Sequence, residues 1–253
     1  MRSVPSARAA APLVAAAASL ALAPAAGAQS GDGFLFRAPS GSLTLRAGVD
    51  RAAGGGDVFD FVRDNLTFGS RALTGTSLGA EIGVALGSRV DLVVGGAHLR
   101  ARSRTNYRDF TDADDREIEQ TNTFTRVPVT GTLRAYLAPR GRSVGRLAWV
   151  PARLAPYVGA GGGAMWYRFE QAGDFIDVDS PDLAVVGGTA RSSGWAPTAH
   201  GAAGLDVSLS PRVALNTEAR YNWARATPVG DFSALDRIDL SGLGVTAGLS
   251  FRF

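Results

Sequence analysis

From residue 41 to the end, the chain alternates apolar and polar residues with a period of two, the pattern of strands and not of helices. Over residues 42–50, Leu43, Leu45, Ala47 and Val49 share one face, and Ser42, Thr44, Arg46, Gly48 and Asp50 the other. Residues 77–86 repeat this, with Leu78, Ala80, Ile82, Val84 and Leu86 set against Gly79, Glu81, Gly83 and Ala85. After a turn at residues 87–89, a strand runs from Val90 to about Arg102. Its upper half sets Ala97, Leu99 and Ala101 against His98, Arg100 and Arg102, and its lower half declares no face.

Residues 126–137, 156–169, 198–209, 213–223 and 243–253 continue the alternation. The polar face carries Arg134 in the first of these, Asp206 in the third, Glu218 and Arg220 in the fourth and Arg252 in the last. Eight strands of about ten residues, with no helical pattern between them, predict an all-β, antiparallel up-and-down barrel. Residues 138–155 form a long connection that either is an insertion or hides a further hairpin, so ten strands remain open.

The choice of face decides the class. A soluble barrel turns its apolar residues inward, whereas a membrane barrel turns them to lipid and keeps charges in the lumen. Here one face collects Arg46, Glu81, Arg100, Arg134, Asp206, Glu218, Arg220 and Arg252. So many charges cannot line a dry core unless they pair. The transmembrane reading follows, with these eight residues predicted as a lumen charge network.

Connections agree. Tight turns at residues 87–89 and 210–212 alternate with long joins at 51–76, 103–123, 170–196 and 226–237, as expected for short periplasmic turns and long external loops. Trp166 and Trp223 each lie ten residues beyond the start of an outgoing strand, about the 25 Å height of an apolar band. Together with Tyr167, Trp195 and Tyr221 they form a predicted aromatic girdle at the outer interface.

Composition adds the address. Residues 1–28 read as a secretory signal, with Arg2 and Arg8, an apolar stretch and a small-residue site at Ala26-Gly27-Ala28. Residues 29–40 are then an N-terminal periplasmic segment and 41–253 the barrel. All 26 basic residues are arginine, and without residues 1–28 they number 24 against 23 acidic ones. That balance gives no ground for nucleic-acid binding. No cysteine and two histidines argue against a Cys/His zinc site. No metal or cofactor is expected.

The chain ends LGVTAGLSFRF, with Phe251 and Phe253 as its last aromatics. This looks like the C-terminal signal of bacterial outer-membrane barrels. The segments PVTGTLRAYL (residues 128–137) and PYVGAGGGAMWY (156–167) resemble the middle of small OmpW-like and OmpA-like barrels. The resemblance covers about residues 41–253. It implies residence in the Gram-negative outer membrane, contact with outer-membrane lipid and lipopolysaccharide, delivery by the outer-membrane assembly machinery, and a monomer. No OmpA-like peptidoglycan-binding domain follows the barrel in this sequence.

Other chemistry is sparse. Gly159–Ala164 fits a G-x-G-x-x-A pattern, but a strand follows where a nucleotide site needs a helix. His98 and His200 are the only histidines; Asp206 and Ser208 share the face of His200 without forming a convincing triad, and no enzyme is predicted. The acidic runs at 112–115 and 174–179 could bind divalent cations, though solvated loops account for them. The expected role is structural or a narrow passive path for small solutes. The alternative is a surface-binding module acting through long acidic loops, with a lipid A-modifying enzyme behind both.

Overall fold

The computed structural model describes residues 33–111, 115–176 and 185–253; the signal segment and parts of both acidic runs (112–114 and 177–179) lie outside them. In chain order the strands are β1 (Leu35–Phe36), β2 (Gly41–Ala52), β3 (Thr74–Ala85), β4 (Val90–Thr111), β5 (Glu117–Tyr136), β6 (Gly141–Val144), β7 (Ala148–Pro151), β8 (Leu154–Ile176), β9 (Val185–Ser208), β10 (Val213–Ala226), β11 (Ile238–Asp239) and β12 (Gly242–Arg252). Helix α1 (Asp57–Asn65) lies between β2 and β3.

Eight of these strands close a ring: β2, β3, β4, β5, β8, β9, β10 and β12, each antiparallel to its neighbours, with β12 returning to β2. The seam is complete, Phe251 pairing with Leu43 and Arg252 with Ser42. Following partners from Ser42 through Gly83, Val93, Thr132, Gly161, His200, Asn222 and Gly242 leads back to β2 at Ala52. This stagger tilts the strands about 40° from the axis, so each residue climbs roughly 2.5 Å.

The barrel is inside out relative to a soluble one. Leu45, Leu78, Ile82, Leu133 and Val245 stand outward and exposed, while Arg46, Glu81, Arg134 and Glu218 are buried inward. Such a belt of exposed leucine, valine and isoleucine around a charged interior suits lipid outside and polar groups within.

The barrel wall is uneven. β4, β5, β8 and β9 have 20 to 24 residues, whereas β2, β3, β10 and β12 have 11 to 14. On one side the wall therefore rises about ten residues, roughly 25 Å, above the rest. Residues expected as loops, 103–123 and 170–196, are mostly continuations of these strands. The alternation fades there because neither face of the tall wall meets lipid.

The join at 51–76 also differs from expectation, since it holds α1. Val58, Phe59 and Val62 of this helix are fully buried against the inner side of the tall wall. A nine-residue helix has little stability alone, and the packing of its apolar stripe is what forms it. Phe59 sits at the centre, its ring 5.2 Å from Phe124, 5.4 Å from Phe169 and 6.2 Å from Phe68. With Leu66, Met165, Tyr167, Phe232, Ile238 and Leu240 these residues make an apolar cork across the outer mouth.

At the opposite end, residues 138–155 settle the strand number at eight. β6 and β7 are four-residue strands paired with each other, and β7 pairs with β1, forming a separate three-stranded sheet. Four residues are too few to cross a membrane, which takes about nine to eleven in a tilted strand.

Strand contact is close where β8 meets β5. A Cβ added to Gly161 would overlap the carbonyl oxygen of Gly131, whereas one added to Gly131 meets nothing within 4 Å. Gly161→Val is expected to lower sharply the fraction of refolded protein with the fast gel mobility of an unheated barrel. Gly131→Ala is expected to leave that fraction unchanged.

Candidate functional site

Alternation turns one residue in two toward the axis, and the stagger decides which of them meet. Arg46 on β2, Glu81 on β3, Arg134 on β5, and Glu218 and Arg220 on β10 converge at mid-barrel. Arg46 pairs with both carboxylates, through a short contact to Glu81 and at 2.5 Å to Glu218. Arg134 reaches Glu81 at 2.9 Å and Glu218 at 3.5 Å. Arg220 donates to Glu81 at 2.6 Å and to Glu218 at 2.9 Å. Each carboxylate thus faces the same three guanidinium groups, and the lattice links staves from different sides of the ring.

Below this layer, toward the small sheet, the Tyr157 hydroxyl donates to Glu218 at 2.9 Å and accepts from the Asn216 amide at 2.9 Å. Asn216 also donates to Asp206 at 2.7 Å, which accepts from Tyr136 at 3.0 Å. The Arg134 guanidinium lies 4.4 Å above the Tyr157 ring. At the inner rim, Arg252 donates to Ser208 at 2.9 Å, and Arg140 pairs with Asp91 at 3.0 Å.

Above it, Arg126 on β5 forms a buried pair with Asp50 on β2 and donates to the Leu240 carbonyl at 2.8 Å. Its guanidinium also lies 5.2 Å from the Phe124 ring, where the polar lumen meets the apolar cork. Between Arg126 and the central lattice is a cavity of about 50 Å³ bounded by Asp50, Ser77, Leu99, Glu218 and Asn222. It has room for a water or two.

Seven of the eight residues expected in the lumen face inward: Arg46, Glu81, Arg134, Asp206, Glu218, Arg220 and Arg252. Arg100 does not. It is exposed on the outer surface, and Leu99 and Ala101 are the buried residues of that stretch. β4 keeps its odd-numbered residues inward from Asp91 through Thr105, but at the height of Arg100 the inward neighbours Leu99, Ala101 and Phe124 are apolar. The polarity of the two faces inverts there, and a rule that sends polar residues inward misplaces Arg100.

The same inversion corrects the girdle. Tyr167 is buried in the cork, its hydroxyl 3.3 Å from the Ser192 hydroxyl and donating to the Thr227 carbonyl at 3.4 Å. Trp166, Trp195, Tyr221 and Trp223 stand outward. Trp166 pairs directly with Trp195, and the Tyr221 and Trp223 rings are 4.9 Å apart. Asp50 and Arg126 were missed as members of the lumen set, although both lie on polar faces of the same alternation.

The remaining candidates separate. His200 points inward, its Nε2 2.9 Å from the Thr132 hydroxyl, while His98 is exposed outside. Asp206 and Ser208 are engaged by Tyr136, Asn216 and Arg252, and not by His200. Gly159–Ala164 lies within β8. Of the acidic runs, only Asp115 and residues 174–176 are described.

No family model matches the chain, and no curated protein does. Among solved structures it is similar to the outer membrane protein OprG from Pseudomonas aeruginosa, at 14% identity over 85% of this chain and 97% of that one, with a TM-score of 0.45. It is similar to outer membrane protein W of E. coli at 17% identity, covering 86% and 100%, with a TM-score of 0.38. It is also similar to Ail, the attachment invasion locus protein of Yersinia pestis, at 10% identity, covering 85% and 99%, with a TM-score of 0.40.

Breaking a buried pair strands a charge, whereas replacing both partners removes the problem. Arg126→Met is therefore expected to cost about 3–5 kcal/mol of stability in urea titrations of the folded barrel. Arg126→Met combined with Asp50→Leu is expected to recover more than half of that loss.

Proposed function

We propose that this chain is a closed β-barrel of the Gram-negative outer membrane, acting as a structural element of that membrane and not as an open conduit. The observation that carries this reading is the filling of the lumen. The arginine–glutamate lattice, the Arg126–Asp50 pair and the apolar cork lie one above another along the axis. A small solute would have to separate paired charges beside which there is room for only a water or two, at a cost of several kcal/mol for each.

The exposed apolar belt supports membrane residence, and the tight-turn end, with both ends of the barrel segment, is placed on the periplasmic side. The closed seam between β12 and β2 leaves no edge strand to pair with another copy, which supports a monomer. Phe253, exposed beside that seam, is the residue we assign to recognition by the assembly machinery.

One observation favours a second reading. The tall wall of β4, β5, β8 and β9 stands well above the apolar belt, farther than closing the barrel requires. A rigid sheet held there suits a surface-binding role.

Planar-bilayer recording tests the first reading. The refolded protein is expected to stay silent, and so is Glu218→Ala, because the cork persists when the lattice is weakened. Discrete openings of the unaltered protein, in bilayers where folded barrel is demonstrated, would overturn it. Surface binding that survives in a silent barrel, and is lost when the wall hairpins are shortened, would favour the second.

A further inference from the structure

The outward placement of Arg100 belongs to a surface that the lumen does not use. The outward residues of β4 above the apolar belt are His98, Arg100, Arg102 and Arg104, and the three arginines are exposed. The neighbouring strand β5 presents Thr125, Thr123 and Thr121 opposite them. On the far side of that threonine row, Arg168 of β8 pairs with Thr125, so Arg100, Thr125 and Arg168 lie three abreast. Among the described residues, none of these four arginines forms an ion pair. Arg168 lies 5.2 Å from the Trp166 ring, which holds its guanidinium at the interface. Among the described residues, the carboxylates at this patch are Glu170, beside Thr123 and Arg191, and Glu119, two residues beyond Thr121 at its upper edge, and they leave the patch positive.

Directly beneath, the same three strands form an apolar surface with a trough. Val94, Gly131 and Gly162 lie in one row, and Gly96, Val129 and Ala164 in the next. Gly131 has open space where a side chain would stand. Leu92, Leu133 and Val158 continue the apolar surface toward the inner side.

We infer that the outer surface of β4, β5 and β8 is a docking site for a phosphorylated glycolipid of the outer leaflet. Its phosphates would be held by Arg100, Arg102, Arg104 and Arg168 with the threonine hydroxyls, and an acyl chain would lie in the trough over Gly131 and Gly162. Guanidinium groups bind phosphate through paired charge-assisted hydrogen bonds, and hydroxyls add donors between them. The arginines span about 10 Å across two strand spacings and about 13 Å along β4, more than one phosphate fills. Their height sets them where headgroups meet the hydrocarbon, so charge and trough fit one amphipathic molecule. This inference rests on the proposed outer-membrane residence.

Native mass spectrometry of the refolded barrel in zwitterionic detergent tests it, with diphosphoryl lipid A, its dephosphorylated form, phosphatidylglycerol and inorganic phosphate as probes. Diphosphoryl lipid A is expected to bind most tightly. The variant Arg100→Gln/Arg102→Gln/Arg168→Gln is expected to bind it about tenfold to hundredfold more weakly. Gly131→Leu, which keeps every charge and fills the trough, is expected to weaken binding too, while Arg225→Gln on the other side of the barrel leaves it unchanged. Unaltered binding by the folded triple variant would overturn the inference, as would equal affinity for phosphatidylglycerol or inorganic phosphate. Heat-modifiable gel mobility and insertion into vesicles, read on the same samples, report the membrane barrel separately. A chain that fails to insert counts against the membrane reading, and an inserted chain that ignores the lipid counts against the patch alone.

Discussion

A charge removed from water must meet its opposite, and inside a barrel of eight strands it has only the facing staves to find one. Glu81 and Glu218 satisfy this through three shared arginines, Arg46, Arg134 and Arg220, drawn from β2, β5 and β10. The lattice requires a particular stagger. A shift of one residue on any of these strands would turn its charges outward to lipid and leave their partners unpaired. Pairing in the lumen and hydrogen bonding in the wall therefore specify the same register.

Along the axis the interior changes character. At mid-barrel it is ionic, with Tyr157, Asn216 and Asp206 extending the polar network toward the inner rim. Near the outer mouth it becomes apolar, organised around Phe59 of α1. Arg126 joins the two regimes, paired with Asp50 on one side and set against Phe124 on the other. The exterior changes in the opposite sense, from leucine and valine in the belt to arginine and threonine above it. The two inversions occur at about the same height, because there the outside meets water and the inside is closed from it.

This exchange explains which parts of the molecule were legible in the chain. Within the belt, alternation reports a simple contrast of lipid and lumen, and Arg46, Glu81, Arg134, Glu218 and Arg220 could be placed on the inner face from their spacing. Above the belt the strands still turn alternate residues inward, but polarity no longer marks which: Leu99, Phe124 and Phe169 are buried there beside Thr105, Asn122 and Gln171. Arg100 and Tyr167 were therefore assigned to the wrong faces, while Leu99, read as lipid-facing, belongs inside. Helix α1 escaped notice because a short run such as DVFDFVRDN carries no helical signal apart from the cork it packs into.

The sequence by itself determined the class of the protein. A recurrent period of two, eight strands of suitable length and one face rich in charge are local properties, and they suffice for an antiparallel barrel with its polar side inward. Tertiary structure alone decided what fills that barrel and what its outer surface offers. The partners in the lattice are separated by up to 172 residues along the chain, as Arg46 and Glu218 are. The three abreast, Arg100, Thr125 and Arg168, come from three strands. Neither arrangement can be read without the stagger, which belongs to the closed ring as a whole and to no one segment.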